Sequence, residues 1–348
     1  MPPSLFRGRR AATIENTHLR LTVLQEGGHI AEIVDQQIGI NPLWIPPWPS
    51  IEPSAYDSST DDVYGGGPEG RLLAGIMGHN LCLDIFGGPS ADEAAAGLGV
   101  HGEASVAPYT IQSSAGTLTM EAALPEARLR VERRIELHDR TVRILEVVEN
   151  LSSTDRPVGW TQHVTLGPPF LERGATEFRA SATRSQVIDA AFGPGSYLSP
   201  GAVFDWPNAP RSAGGVVDLR TCTAQEVSSA FTTHLMNPAM PHAFFVAFSP
   251  RSSLAFGCVW KQADFPWLGI WEENRSRGNP PWNSETLTRG MEFGASPFPE
   301  SRRQMIDRGR LFDVPAYRWI PARTCVPVEY WMVCRSASSI PEMLEWPG

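Results

Sequence analysis

Three residues of this 348-residue chain combine side-chain types and local settings that suit proton transfer. His163 lies in the alternating run TQHVTLG, which ends at a Gly-Pro-Pro turn, and His101 lies beside a glycine in VHGEA. Glu292 lies between Met291 and Phe293, with a glycine beyond each of them. An imidazole and a carboxylate that share one pocket can act as general acid and general base. Acid–base chemistry on a bound small molecule is therefore one function that these residues can support.

Each of these residues also has a purely structural interpretation. His163 could be a core histidine satisfied by hydrogen bonds, His101 a loop histidine bound to a nearby carbonyl, and Glu292 a strand residue facing solvent. The H-x-E pattern at His101 is also found in zinc deaminases, but their P-C-x-x-C partner is absent. A metal site made from His101, Glu103 and His163 has no supporting ligand spacing. We expect neither a metal nor another cofactor.

The segment 268–299 is dense in tryptophan and glutamate among turn residues. It contains Trp271, Glu272 and Trp282. A sugar can stack its C–H face on an aromatic ring, while its hydroxyls need hydrogen-bond partners. We therefore expect these three residues to bind a small carbohydrate.

The elements that must position these residues are predominantly strands. The alternation of apolar and polar residues predicts two strands in 18–35, joined by a turn at Gly27-Gly28, and further strands in other segments. The few helical candidates are 90–98 and 299–311. The pattern, with 31 glycines and 31 prolines, favours an all-β protein, a large antiparallel β-sandwich with few short helices. The long loops 41–70 and 189–215 are interpreted as functional loops of one domain spanning 1–348. The further strand segments are 117–124, 128–138, 141–150, 242–249, 253–260 and 326–334.

Composition excludes several classes of partner. The formal net charge of −9 argues against nonspecific nucleic-acid binding. No run approaches the roughly 18 apolar residues of a membrane span, and the basic start of the chain is not followed by the apolar stretch of a signal peptide. The five cysteines, an odd number without C-x-x-C, are expected to be buried free thiols in a reducing cytoplasm. We expect a cytoplasmic monomer or homodimer.

Several short motifs, taken in order, resemble the galactose mutarotase (aldose 1-epimerase) superfamily. The resemblance covers most of the chain, and the length of segment 72–99 is similar to the less characterised branches. It implies a galactose mutarotase-like β-sandwich. The motifs are GGHIAEIVD, NPLW, VHG, EVVEN, RPVGWTQHVTLG, WLGIWEE and GMEFGASPFP.

The same resemblance implies roles for individual residues. His101 would bind the sugar, His163 would protonate the ring oxygen as general acid, and Glu292 would be the general base at the anomeric hydroxyl. Arg71 in PEGRLLAG lies roughly where the family places a sugar-binding arginine. Glu292 is followed by Phe293, whereas the family often has proline there. The acid and base would flank the sugar.

The function that this resemblance implies is that of an aldose 1-epimerase, which interconverts sugar anomers by opening the ring. A non-catalytic carbohydrate-binding protein is an alternative, because one fold hosts several functions. A sugar-phosphate epimerase is another, since four late arginines at 302, 303, 308 and 310 could bind a phosphate or could form a solvated helix face. An isomerase or lyase acting on an acidic sugar is a third.

Overall fold

Strands provide most of the regular structure of this chain. The structure is a computed structural model that describes residues 4–347. Within these residues lie three short α-helices, α1 Gly70–Gly75, α2 Ala91–Ala95 and α3 Arg302–Arg308, and two 3-10 turns, Pro53–Ala55 and Asp62–Tyr64. The strands are β1 Ser4–Phe6, β2 Arg9–Glu15, β3 Leu19–Leu24, β4 Ile30–Asp35, β5 His79–Asp84, β6 Thr110–Ser114, β7 Thr117–Leu124, β8 Leu129–His138, β9 Thr141–Asn150, β10 Arg156–Leu166, β11 Glu177–Ala180, β12 Ala182–Val187, β13 Val203–Asp205, β14 Asn208–Pro210, β15 Val216–Asp218, β16 Ser228–Met236, β17 His242–Ser249, β18 Leu254–Lys261, β19 Trp267–Asn274, β20 Leu287–Gly294, β21 Arg310–Leu311, β22 Val314–Pro315, β23 Arg318–Ile320 and β24 Cys325–Ser336.

The strands form two large antiparallel sheets. The large sheet has twelve strands, in the order β1-β2-β3-β4-β5-β10-β20-β19-β16-β12-β13, with β23 paired to β10 outside this path. The small sheet has eight, in the order β11-β17-β18-β24-β9-β8-β7-β6. The pairs β14–β15 and β21–β22 form two additional short ribbons.

A hydrophobic core lies between the two sheets. It takes Trp160 and Phe293 from the large sheet and Trp260 and Tyr330 from the small one. The rings of Trp260 and Phe293 stack with centroids 4.2 Å apart. Aromatic side chains of this kind bury roughly 150–250 Å² each, which makes them major contributors to packing. The other face of the large sheet is therefore available for a site.

The predicted fold class and strands are confirmed. All the strand segments predicted from alternation contain strands, and the turn between β3 and β4 contains Gly27-Gly28. Helices α2 and α3 lie within the two helical candidates. Helix α1 was not predicted, because its single stretch GRLLAG is too short to show a period. The segment 189–215 also contains β13 and β14, each of three residues, which is too short for alternation to reveal.

One expectation for the cysteines is wrong. Four of the five thiols are buried and all five are free, but Cys325 is exposed. It is the first residue of β24, and burial along this strand begins at Val328. None of the helices in the described chain has the length and apolar run that a membrane crossing requires.

Candidate active site

The outer face of the large sheet carries the predicted acid and base. Successive residues of a strand point to opposite faces, and Trp160 and Val164 of β10 point into the core. His163 therefore points outward. It lies directly opposite Glu292 on β20 and directly opposite Asn80 on β5. Directly opposed residues share a face, so these three side chains form a row across adjacent strands.

His163 and Glu292 are in close contact. Their Nε2 and Oε1 atoms are 3.1 Å apart, and the side chains are only 6% and 2% exposed. The contact does not have the angle of a hydrogen bond. Oε1 of Glu292 therefore has no hydrogen-bond partner among the described residues. Nδ1 of His163 is 2.9 Å from the hydroxyl of Thr165, two residues along the same strand. The Thr165 hydroxyl holds the Nδ1 side of the His163 ring, so that Nε2 faces the Glu292 carboxylate.

Glycine in β20 provides the space that the Glu292 carboxylate occupies. A Cβ atom added to Gly290, two residues earlier on the same face, would lie 2.2 Å from Oε1 of Glu292. Gly269 lies opposite Glu292 on β19, and a Cβ there would meet the Phe231 ring at 2.8 Å. Gly290 and Gly269 therefore each have a steric reason.

His101 reaches the same site from a loop. Its backbone has a positive φ of 66°, its N–H donates to the carbonyl of Gly87, and its own carbonyl accepts from Leu83. These bonds place the His101 ring 4.8 Å from the ring of His163, between centroids. Nδ1 of His101 is 3.5 Å from the side-chain amide nitrogen of Asn80.

These residues line a cavity of about 250 Å³. His101, His163 and Glu292 lie on its polar side, while Phe231, Trp271 and Trp282 are among its aromatic lining residues. The ring of Trp271 is 5.8 Å from that of His163. The volume is close to the lower end of ligand pockets, roughly 300–1,000 Å³, which suits a single small molecule.

The site contains buried polar atoms without a partner. Among the described residues, Oδ1 of Asn80, Nε1 of Trp271 and Oε1 of Glu292 make no hydrogen bond within the protein. An unsatisfied buried polar group costs about 1–3 kcal/mol, so such groups are uncommon without a purpose. Trp271 and Glu292 line the cavity, so one free donor and one free acceptor there match a ligand rich in hydroxyl groups.

Comparisons with known proteins agree with this architecture. No protein-family model and no curated protein sequence matches the chain. Among solved structures, a proposed aldose 1-epimerase from Klebsiella pneumoniae is 13% identical, with 95% of this chain and 80% of that chain covered and a TM-score of 0.66. A galactose mutarotase-like protein from Clostridium acetobutylicum is 12% identical, with 96% and 98% covered and a TM-score of 0.63. The chain has the galactose mutarotase-like fold.

Two of the predicted binding residues lie outside this cavity. Arg71 on α1 is exposed; its Nε donates to the carbonyl of Pro53, and its side chain lines a neighbouring cavity. Glu272 is buried on the opposite face of β19 from Trp271, where it accepts from Ser228 at 2.6 Å. Since neighbouring strand residues point to opposite faces, Trp271 and Glu272 cannot line the same cavity.

The late arginines also lie outside the cavity. Arg302 pairs with Asp84, Arg303 with Asp307, and Arg308 with Glu300 and Asp189. The fourth, at position 310, donates to a backbone carbonyl. The side chains of this group are thus engaged with the protein itself.

The structure adds site residues that the sequence analysis missed. Asn80 and Phe231 come from strands β5 and β16, which were not predicted, and Arg277 lies within the segment 268–299 without having been singled out. Asn80 precedes Leu81 in GHNLCLD, a run buried throughout. A polar residue within such a run was the feature of the sequence that could have identified Asn80.

Burial shifts the pKa values of the three proton-binding groups in the site. It lowers the pKa of His163 to about 4 and raises the pKa of Glu292 well above its usual range. The pKa of His101 is also lowered, first by burial and then by the neighbouring His163. In each case the low polarity of the surroundings disfavours the charged form. The site therefore holds His163 and Glu292 with little access to water.

Proposed function

We propose that this protein is an aldose 1-epimerase that interconverts the α and β anomers of a monosaccharide. The observation that supports it most is the 3.1 Å approach of His163 and Glu292 on the floor of a cavity of about 250 Å³. The fold of the neighbouring solved structures is consistent with this activity.

The proposed reaction moves two protons and breaks one bond. Glu292 takes the proton from the anomeric hydroxyl, His163 gives a proton to the ring oxygen, and the bond between C1 and the ring oxygen breaks to leave an aldehyde. After rotation about the C1–C2 bond, the protons return by the reverse steps and the ring closes as the other anomer. A positioned acid or base contributes about 10²–10⁴-fold to such a step.

The positions of the two groups suit this substrate in a particular way. The anomeric oxygen and the ring oxygen are bonded to the same carbon, so they are close neighbours. His163 and Glu292 lie side by side on adjacent strands, so they reach the two oxygens from one side. This arrangement replaces the expectation that the acid and base flank the sugar.

The pair needs a single shared proton. In the closed-ring state the proton is on His163, and in the open-chain state it is on Glu292. Because burial disfavours both the imidazolium and the carboxylate, it favours the state with the proton on Glu292 over the state with the proton on His163.

The remaining cavity residues would bind the sugar. The aromatic face of Trp271 or Trp282 offers a stacking surface, and the free Nε1 of Trp271 offers a hydrogen bond to a hydroxyl. His101, which is neutral at pH 7 because burial lowers its pKa, can donate or accept such a bond.

Polarimetry tests this proposal. The decay of optical rotation of fresh α-D-galactose and α-D-glucose should be faster with the protein, and His163→Asn and Glu292→Gln should each lower the catalysed rate about 10²–10⁴-fold. His138→Asn is the matched control, because His138 is about half exposed and remote from the cavity. Sugar binding by the wild-type protein without any rate increase would instead identify a non-catalytic carbohydrate-binding protein, and full activity of His163→Asn would refute the assigned roles.

A further inference from the structure

Arg277 is the one lysine or arginine among the described residues that line the site cavity. It lies in the loop between β19 and β20, and its guanidinium carbon is 4.7 Å from the centroid of the Trp282 ring. Stacking on an aromatic ring fixes the plane of a guanidinium group and stabilises it by cation–π attraction. Arg277 is thus held against the aromatic wall of the cavity.

The loop that carries Arg277 is tied down by Glu273, whose side chain is 1% exposed. The Glu273 carboxylate accepts from the N–H and the hydroxyl of Ser276, each at 2.7 Å, and from the N–H of Arg277 at 3.2 Å. Nε of Arg277 lies 3.3 Å from the same carboxylate. The backbone carbonyl of Arg277 accepts from the N–H of Ser284. The direction of the arginine is therefore set by the protein before any ligand binds.

This anchoring leaves the outer edge of the guanidinium free. Neither Nη atom of Arg277 makes a hydrogen bond within the described part of the chain, and the side chain is 24% exposed. A ligand in the cavity would remove the water from this edge. The two Nη groups would then lose their hydrogen bonds to water, and the Glu273 carboxylate, which faces Nε, does not replace them. Two Nη donors in one plane match the two oxygens of a carboxylate.

We propose that Arg277 determines the substrate class by binding a sugar carboxylate, so that the substrate is a pyranose of the uronic-acid type. The inference rests on the proposed function, which it makes more specific. Arg277 provides a single positive charge, and Glu69 also lines the cavity. A dianionic phosphate would be repelled more strongly than a carboxylate by these surroundings. The late arginines that could have added positive charge are engaged elsewhere.

The experiment compares substrates and two arginine variants. Anomerisation would be followed by NMR exchange with D-galacturonate and D-glucuronate, with the neutral sugars D-galactose and D-glucose, and with glucose 6-phosphate. We expect kcat/KM for a uronate to exceed that for its neutral counterpart about 10- to 100-fold. Arg277→Gln should remove this preference by raising KM for the uronate, and Arg277→Lys should restore part of it.

Arg275→Gln is the matched control. It makes the same change of charge in the same loop, but Arg275 lines a different cavity from Arg277. It should behave as the wild-type protein does. Equal turnover of neutral and acidic sugars, preference for the phosphate, or an equal effect of the two glutamine variants would overturn the assignment.

Failure of the proposed function has a separate signature. If the wild-type protein accelerates no sugar, the aldose 1-epimerase activity is refuted, and the role of Arg277 is decided by calorimetric binding of D-galacturonate. Binding that weakens about 10- to 100-fold in Arg277→Gln but not in Arg275→Gln would support the carboxylate site. Unchanged binding, or none by the wild-type protein, would contradict it.

Discussion

Burial has the same chemical effect on His163 and Glu292 although their pKa values move in opposite directions. It lowers the pKa of the imidazole to about 4 and raises that of the carboxyl group. Both side chains are thereby held uncharged when no ligand is bound, with the shared proton on Glu292. The proposed ring opening uses the other position of this proton, on His163, which the bound sugar would have to favour.

The shifted pKa values predict the pH profile of anomerisation. The pair is active with one proton, so activity is lost when it takes up a second proton or loses its last one. We expect kcat/KM to fall as the pH drops through about 4, where His163 and Glu292 are both protonated. At the other end, kcat/KM should fall only at a pH well above the ordinary pKa of glutamate, because burial raises the pKa of Glu292. The measurement is polarimetry across this range in buffers of constant ionic strength.

The control for this profile is Glu292→Gln. Glutamine cannot lose a proton, so the residual activity of the variant should lack the alkaline limb of the wild-type profile. Persistence of that limb would mean that another group titrates there.

At the residue scale, the sequence predicted the candidate acid and base but not all of their surroundings. His163, His101 and Glu292 were recognised because their motifs resemble a known family, and the structure brings them to one cavity. Arg71 was named for its approximate position along the chain, and it lies elsewhere. Arg277 was missed because its importance comes from a loop conformation that Glu273 imposes.

The element that carries the base is β20, and its glycine content determines where the carboxylate can lie. A Cβ on Gly290 would come within 2.2 Å of Oε1 of Glu292 and 3.1 Å of Cβ of Trp271. We expect Gly290→Ala to displace the carboxylate and lower kcat about 10²-fold, since misplacement by about 1 Å has effects of that size. The measurement is the catalysed rate together with far-UV circular dichroism to confirm the fold.

Gly67→Ala provides the comparison for this prediction. A Cβ on Gly67 would meet only the carbonyl oxygen of Gly65, at 3.9 Å, and the residue is outside the site. The catalysed rate of Gly67→Ala should remain that of the wild-type protein. If Gly290→Ala also retained full activity, the exact position of the carboxylate could not be important to the reaction.

The strands of the two sheets differ in how well the sequence predicts them. In the small sheet, β9 alternates between buried and partly exposed residues, so TVRILEVVEN predicts its own bounds. In the large sheet, β16 is buried at all nine positions and includes serine, threonine and histidine. A strand covered on both faces has no exposed period, and buried polar residues hide its apolar character. The site lies on such strands, which is why part of it was not predicted.

At the scale of the whole molecule, the two sheets are joined by charge as well as by apolar packing. Arg133 on β8 and Glu146 on β9 are direct partners, and Nε of Arg133 donates to the Glu146 carboxylate at 2.8 Å. Both side chains are almost completely buried. The other carboxylate oxygen accepts from Trp160 and Gln162 of the large sheet. Arg133 and Glu146 occupy the same alternating positions as the apolar residues of their strands. The sequence therefore contained an indication that this pair points into the core.

That residues 1–348 form a single domain stays a prediction, and the core between the sheets is consistent with it. The alternation pattern predicts that the strands have an inner face, but it does not say which strands become neighbours. Partners as distant in sequence as β10 and β20 are set by the packing of the complete chain. This is the part of the fold for which the family resemblance, rather than the strand pattern, was informative.

We expect a small change in the buried Arg133–Glu146 pair to have a large effect on stability. Glu146→Gln keeps the shape of the side chain but leaves the Arg133 cation without a counter-charge between the sheets. We expect the free energy of unfolding to fall by about 3–5 kcal/mol, the usual cost of breaking a buried ion pair by removing one partner. Urea unfolding followed by tryptophan fluorescence measures this change.

A surface pair gives the contrast that isolates burial as the cause. Arg251 and Glu172 lie 3.4 Å apart with side chains 81% and 38% exposed, so Glu172→Gln should change the free energy of unfolding by less than about 1 kcal/mol. Replacing a carboxylate by an amide would then change the free energy of unfolding several-fold more in the core than on the surface. If Glu146→Gln were as mild as Glu172→Gln, water or another acceptor would have to reach Arg133, and the two sheets could not be packed as tightly as the contacts of Trp160 and Gln162 with Glu146 indicate.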